Sequence, residues 1–262
     1  MTGRQFAEDA FPLVIAHRGA SSTHPENTLR SFEAALAAGA PVVELDVRLS
    51  SDGVPVAMHD ADVSRTTDGA GPVRGFTVSE LRRLNAGTTH RPEQVPLLSE
   101  VLELVSGRGG LALEIKNVPG EPDYEPDTET IVEAALAELE GAVFEGPVLM
   151  LSFNPRSIAA AKQIAPELPT GVLTAEAVQL DVALGQAVEG GHDFVLPAVK
   201  ALIADGEGFV SRAHDAGVRV GTWTVDRAAE VRMLLGWGVD AVATNDPAMA
   251  VGVVAEPSET PE

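Results

Sequence analysis

The chain has 262 residues, 39 of them acidic and 18 basic for a formal charge of −21, and no cysteine. The charge argues against capture of nucleic acid, whose phosphates need clustered Lys and Arg, and the lack of cysteine excludes disulfides, thiolate nucleophiles and thiolate-bound zinc. No run approaches the roughly 18 apolar residues of a membrane span, and the opening MTGRQFAEDAFPLVIAHRGA lacks the basic, apolar, small-residue order of a signal peptide, so a soluble, cytoplasmic protein is expected.

In chain order, short apolar runs predict strands at 13–16, 42–47, 111–115, 147–153, 170–174, 193–196, 218–223 and 240–244. Between them, helical patterns cover 26–39, 99–107, 127–141, 155–165, 177–188, 205–216 and 226–237. A last helix begins at Pro247, a residue suited to a first turn. Eight strands alternating with helices predict an α/β fold, a (β/α)8 TIM barrel; a doubly wound sheet shares the periodicity, but the strand count favours the barrel. One domain is expected over 1–252, with a small insertion after the second strand at about 60–98, where turn formers abound. A proline-rich acidic loop, NVPGEPDYEP, follows the third strand at 117–126. The tail 253–262 is too polar to pack and is expected to be disordered.

Two fragments carry chemistry. VVELDV (42–47) places Glu44 and Asp46 two residues apart in a strand, hence on one face, and LALEIK repeats the pattern with Glu114 and Lys116. Two carboxylates about 4 Å apart repel by about 4 kcal/mol at an effective dielectric of 20, and burial adds to that. An isolated Glu-x-Asp is more often a solvated edge or half of a salt bridge. Here β-branched neighbours and a third carboxylate in another apolar strand favour one divalent cation held by Glu44, Asp46 and Glu114. Magnesium or calcium suits an all-oxygen set better than zinc, and manganese fits too. Lys116 could neutralise Glu114 or touch substrate.

Of six histidines, only His17 (VIAHRG) and His59 (VPVAMHD) end apolar runs. That placement suits an acid and a base, because imidazole titrates nearest neutrality. Arg18 beside His17 offers a planar fork for phosphate oxygens. No phosphate-binding GxxxxGK[ST] loop, GxGxxG turn or GxSxG elbow occurs at the corresponding places, which disfavours nucleotide cofactors and serine hydrolysis. A metal, two imidazoles and two cations at strand ends make a phosphate-ester site.

The stretch AHRGASSTHPENTLRSFEAALAAGAPVVELDVRLSSDGVPVAMHDADVSRTTDGAG resembles the N-terminal signature of the glycerophosphodiester phosphodiesterases. VPLLSEVLE, LALEIK, GVRVGTWTVD and GVDAVATNDP follow in that family's order. The resemblance spans almost the whole chain. It implies a metal-dependent barrel that hydrolyses a small-molecule glycerophosphodiester to glycerol 3-phosphate and an alcohol, through a cyclic 1,2-phosphate, with direct attack by a metal-bound water as the alternative route to the same products. It also implies His17 and His59 as catalytic residues, Glu44, Asp46 and Glu114 as metal ligands, Arg18 and Lys116 as phosphate contacts, and Trp223 as a residue lining the site. Glu26 and Asn27 resemble positions that buttress the first loop, though Glu26 could equally cap the helix that starts there. The chain departs from the family at Leu151, where a serine is frequent, and at Pro41, where aspartate is common. A related phospholipase acting on lysophospholipid or phosphatidylinositol, and a non-catalytic phosphate-binding protein, are the rival readings. The first needs an apolar entry surface that the polar 60–98 segment does not offer, and the second is at odds with a complete set of histidines and carboxylates.

Overall fold

The computed structural model describes residues 5–256. Apolar, β-branched runs form β1 (Leu13–Ala16), β2 (Val42–Leu49), β3 (Pro55–Ala57), β4 (Gly110–Ile115), β5 (Val148–Ser152), β6 (Thr170–Thr174), β7 (Phe194–Pro197), β8 (Arg219–Thr222) and β9 (Ala241–Thr244). All but β3 are parallel to their neighbours. They run β1-β9-β8-β7-β6-β5-β4-β2 around the sheet, and β1 pairs with β2, Ile15 opposite Val42, to close the barrel. The eight predicted strands are these eight. The added strand, β3, pairs antiparallel with the far end of β2, Leu49 opposite Pro55.

The helices are α1 (Leu29–Ala37), α2 (Val78–Leu81), α3 (Leu98–Val105), α4 (Thr130–Gly141), α5 (Pro155–Ile164), α6 (Leu180–Gly190), α7 (Val199–Asp205), α8 (Gly208–Asp215), α9 (Ala228–Gly236) and α10 (Pro247–Val254). The short α2 and α7 were not predicted, because four and seven residues show too little periodicity to read. Among the described residues no helix is long and apolar enough to cross a membrane. Of the predicted tail, Val253 and Val254 complete α10, Glu256 pairs with Arg232 at 2.7 Å, and 257–262 lie outside the described residues.

Strand alternation sorts the side chains. Val43, Leu45 and Val47 face outward to pack with Phe32 of α1, Leu102 of α3 and Leu136 of α4, while Leu13, Ile15, Val42, Ala112, Leu149, Leu151, Phe194 and Leu196 fill the interior. The interior is tight: a Cβ at Gly171 would lie 2.7 Å from Leu151 and from Leu196. Packing this close leaves no pore, so chemistry is confined to the mouth at the strand C-termini.

The predicted insertion begins earlier than position 60. After Leu49 the chain turns back as β3 and builds a second small core from Val56, Met58, Val63, Val73, Leu81 and Val95. Because β3 returns toward the barrel, it delivers His59 to the mouth from the opposite direction to His17. Met58 N–H donates to Asp46 O at 2.9 Å and fixes that return.

Candidate active site

Glu44 and Asp46 of β2 and Glu114 of β4 all point into the mouth. Asp46 is opposite Glu114 in the parallel register, and one oxygen from each of the three lies within 4.8 Å of the other two. All three are buried. The loop after β1 wraps them from the other side. Arg18 N–H donates to Glu44 Oε2 (2.7 Å), Arg18 Nε lies 3.2 Å from Asp46 Oδ2, and Asn27 Nδ2 donates to the same oxygen at 2.8 Å. Both loop residues take the left-handed region, φ 57° at Arg18 and 54° at Asn27. Each costs about 1–2 kcal/mol for a residue with a side chain, a strain typical of functional sites. Gly19 follows at φ 82°, where a Cβ would come within 2.2 Å of Ser31 Oγ. That contact explains the glycine of the His-Arg-Gly triplet.

The cluster is electrostatically frustrated. Burial, aided by Asp46, pushes Glu44 up to about 8, and burial pushes Glu114 up to about 7 against the pull of Lys116. Burial opposes ionisation of Asp46 too, yet Lys116 and Arg18 hold it well below the usual carboxylate range. Glu44 Oε1 and Asp46 Oδ1 are buried and receive no hydrogen bond. Bare carboxylate oxygens this close, on three hard ligands and no sulfur, fit an oxygen-preferring divalent cation.

Both predicted histidines reach this mouth. His17 Nδ1 lies 2.8 Å from Asn245 Oδ1 at the end of β9, and His59 Nδ1 lies 2.6 Å from Asp60 Oδ1. Hydrogen bonds from Arg65, with burial opposing and His59 assisting, hold Asp60 at about 2, so a carboxylate faces His59 and Nδ1 carries the proton. Burial lowers both imidazoles. Arg18 adds to this at His17, and Lys116 and Arg18 add to it at His59, where Asp46 and Asp60 pull the other way. The other four histidines stand apart: His192 bonds Thr170, His214 bonds Asp240, His24 bonds Thr23, and His90 is exposed.

The mouth opens into a hollow of about 120 Å3. One wall is polar, made by His17, Arg18, Glu44, His59 and Glu114. The other is apolar, made by Ile15, Leu151, Phe153, Leu173, Trp223 and Ala243. Trp223 is held by its Nε1 donating to Leu196 O (3.0 Å) and by an edge contact with Phe153 at 5.3 Å. Leu151 faces the site beside Glu114 on the neighbouring strand, whereas the exposed Pro41 lies below the barrel and bonds Gly110 through its carbonyl. Lys116 Nζ sits 2.6 Å from Glu114 Oε1 and 3.4 Å from Asp46 Oδ1. The neutralising contact left open by the sequence is therefore made.

Glu26 does not cap α1. Thr28 does, accepting from Ser31 N at 3.1 Å, while Glu26 pairs with Arg18 (3.0 Å) and Arg65 (2.7 Å). Sequence reasoning passed over Asp60, Arg65, Arg48, Phe153, Asp226 and Asn245. Asp60 adjoins a singled-out histidine, and Arg48 continues the Glu44, Asp46 alternation, so both had a local signal. Arg48 is fully buried; its Nε donates to His59 O (2.8 Å), its Nη1 to both oxygens of Asp123 (2.8 and 2.6 Å), and its Nη2 pairs with Glu121. In this way the acidic loop 117–126 is tied to the backbone of His59.

A family model described as the glycerophosphoryl diester phosphodiesterase family matches residues 17–249. A glycerophosphodiester phosphodiesterase of Caldanaerobacter subterraneus subsp. tengcongensis is 35% identical over 249 residues, covering 92% of this chain and 97% of that protein. One from Bacillus subtilis is 33% identical, covering 90% of this chain and 84% of that protein. Among solved structures, an Oleispira antarctica phosphodiesterase in complex with the product sn-glycerol-3-phosphate superposes with a TM-score of 0.83 at 29% identity, over 95% of this chain and 98% of the other. Matched along nearly its whole length in sequence and in fold, this chain belongs to the glycerophosphoryl diester phosphodiesterase family.

Proposed function

We propose that the enzyme hydrolyses glycerophosphodiesters to glycerol 3-phosphate and an alcohol, using one divalent cation and two histidines. The observation that carries this reading is the pair of buried oxygens, Glu44 Oε1 and Asp46 Oδ1, that receive no hydrogen bond, beside Glu114 at a mouth that His17 and His59 line. Glu44, Asp46 and Glu114 would hold Mg2+ or Ca2+, with Mn2+ a workable substitute. When bound, the cation supplies a Lewis acid that offsets charge on the phosphate and lowers the pKa of an adjacent hydroxyl. The relative solved with sn-glycerol-3-phosphate supports the product assignment.

The residues divide the remaining work. The apolar wall of Trp223 and Phe153 packs the glycerol carbons, and Arg18 faces the phosphate, its guanidinium oriented by Glu26 and Asp46. Lys116 lies behind the carboxylates and offsets their charge. The glycerol 2-hydroxyl is a tethered nucleophile with a large proximity advantage over water. His17, deeper in the hollow, takes its proton on Nε2 as the hydroxyl oxygen bonds to phosphorus. His59, nearer solvent, acts as the imidazolium that the ionised Asp60 stabilises: its Nε2–H protonates the departing alcohol as the P–O bond breaks, leaving a neutral imidazole. Water then opens the cyclic 1,2-phosphate with the two roles reversed. A charged rim of Glu26, Asp60 and Arg65 favours a polar diester over a lipid.

The test is a 2-deoxy glycerophosphodiester assayed beside the natural substrate, each with and without exhaustive chelation. The reading expects no turnover after chelation, recovery with Mg2+, Ca2+ or Mn2+, and binding without cleavage of the deoxy analogue. Full activity after chelation would overturn the metal, and cleavage of the deoxy analogue at the natural rate would overturn the cyclic route.

A further inference from the structure

We infer that Asp226, through Asn245, sets the tautomer of His17 and is a positioning residue for the reaction; the inference rests on the role proposed for His17. Asp226 follows β8 and Asn245 follows β9. Asp226 Oδ1 accepts from Asn245 N–H (2.8 Å) and from Thr244 Oγ1 (3.2 Å), and Asp226 Oδ2 accepts from Asn245 Nδ2 (2.7 Å). A carboxylate has only lone pairs to offer, so the end of the Asn245 amide that faces it must be the NH2. That choice turns Asn245 Oδ1 toward His17 Nδ1 at 2.8 Å. Ser21 Oγ lies 2.9 Å from Asn245 Oδ1 and 2.8 Å from His17 O, and its single proton serves one of the two, so the amide orientation is set by Asp226 and not by Ser21.

An amide oxygen can only accept, so His17 must carry its proton on Nδ1. Nε2 is then bare, as the base that receives the glycerol hydroxyl proton requires. Two acceptors facing each other at 2.8 Å would repel, so the opposite tautomer is disfavoured while Asn245 stays in place. The consequence is specific. In Asp226→Asn, a carboxamide can present its own NH2 to Asn245, which satisfies it by turning its oxygen toward 226 and its NH2 toward His17. Nδ1 must then accept, and the proton moves to Nε2, where it blocks the base. In Asp226→Asn/Asn245→Asp, an aspartate at 245 accepts from both neighbours, and the Nδ1–H tautomer returns.

The experiment is 15N NMR of histidine-labelled enzyme at a pH where His17 is neutral, with kcat and KM measured on the same samples. Expected are an Nδ1–H signature in the wild type, an Nε2–H signature in Asp226→Asn with kcat down about 10²-fold and KM little changed, and recovery of both in the double variant. An Nδ1–H signature that persists in a folded Asp226→Asn variant would overturn the inference. So would a double variant that stays in the Nε2–H form. A tautomer that shifts while kcat holds would support the relay and instead overturn His17 as the base, so the two failures are distinguishable. Should Asp226→Asn fold poorly, Asn245→Leu serves in its place: it removes the acceptor and is expected to give a mixture of tautomers, and a pure Nδ1–H signature there would equally overturn the inference.

Discussion

Asn27 grips Asp46 twice. Its Nδ2 donates to Asp46 Oδ2 at 2.8 Å, and its Oδ1 accepts the Asp46 backbone N–H at 3.3 Å. The amide therefore fixes both the side chain and the main chain of a metal-ligand candidate, and it does so from a left-handed backbone conformation. Residues in this supporting position typically account for about 10- to 100-fold in metal affinity. Asn27→Ala is expected to weaken Mn2+ binding by that factor in calorimetry while the circular dichroism stays native. Unchanged affinity would show that Asp46 needs no such support.

The carboxylates predict how the metal-free protein responds to pH. Glu44 at about 8 and Glu114 at about 7 bind protons more tightly folded than unfolded. Their stabilising contribution is present below the ordinary carboxylate pKa of about 4.3 and is lost as pH rises through the folded values. The apo-enzyme melting temperature should therefore fall between about pH 6.5 and 8, above the range in which the lowered imidazoles His17 and His59 contribute a slope of opposite sign. Saturating Mg2+ or Ca2+ should flatten that slope, and Glu44→Gln should reduce it. A metal-free melting temperature that rises across the window would contradict the assignment.

His59 and His17 are separable by leaving group. A p-nitrophenyl glycerophosphodiester releases an alcohol that needs no proton, so in the first turnover, before ring opening, His59→Ala should lose about 10²-fold or more on a choline ester but far less on the aryl ester. His17→Ala should be equally impaired on both. The reverse pattern would exchange the two roles, and equal losses in both variants would remove the distinction.

Arg48 anchors His59 from beneath. Its removal strands Asp123, which is almost fully buried, together with Glu121 and the carbonyl of His59. Breaking a buried pair from one side costs about 3–5 kcal/mol. Arg48→Met should lower urea stability by that order and reduce kcat, whereas Arg48→Lys, lacking the planar fork, should restore only part of each. A variant with native stability would show that the loop 117–126 is held elsewhere.

Gly19 tests the first loop. With φ at 82° and Ser31 Oγ 2.2 Å from the site of a Cβ, Gly19→Ala must move either the loop or α1. A loss of more than about 1 kcal/mol in urea melts is expected, since the strain comes on top of the ordinary left-handed penalty. Weaker cation binding should accompany it, because Arg18 N–H would be pulled from Glu44.

What the sequence determined by itself was whatever depends on neighbours within a few residues. Strand alternation put Glu44 with Asp46 on one face, β-branched flanks marked their burial, and the strand–helix alternation defined the barrel and thus the end at which chemistry sits. Tertiary structure decided what depends on registers between distant segments. His17 meets Asn245 across 228 positions, and no local pattern announces that pairing. His59 looked like a second strand end of the same kind as His17, yet it arrives on an antiparallel return whose position depends on the Leu49 to Pro55 pairing. Glu26 reads locally as a cap. It is drawn instead to Arg65, 39 residues away, because the insertion folds over the mouth around its own apolar core. Local periodicity is a property of the backbone and survives in one dimension. A hydrogen bond between loops depends on closure of the whole barrel, which only the packed chain supplies.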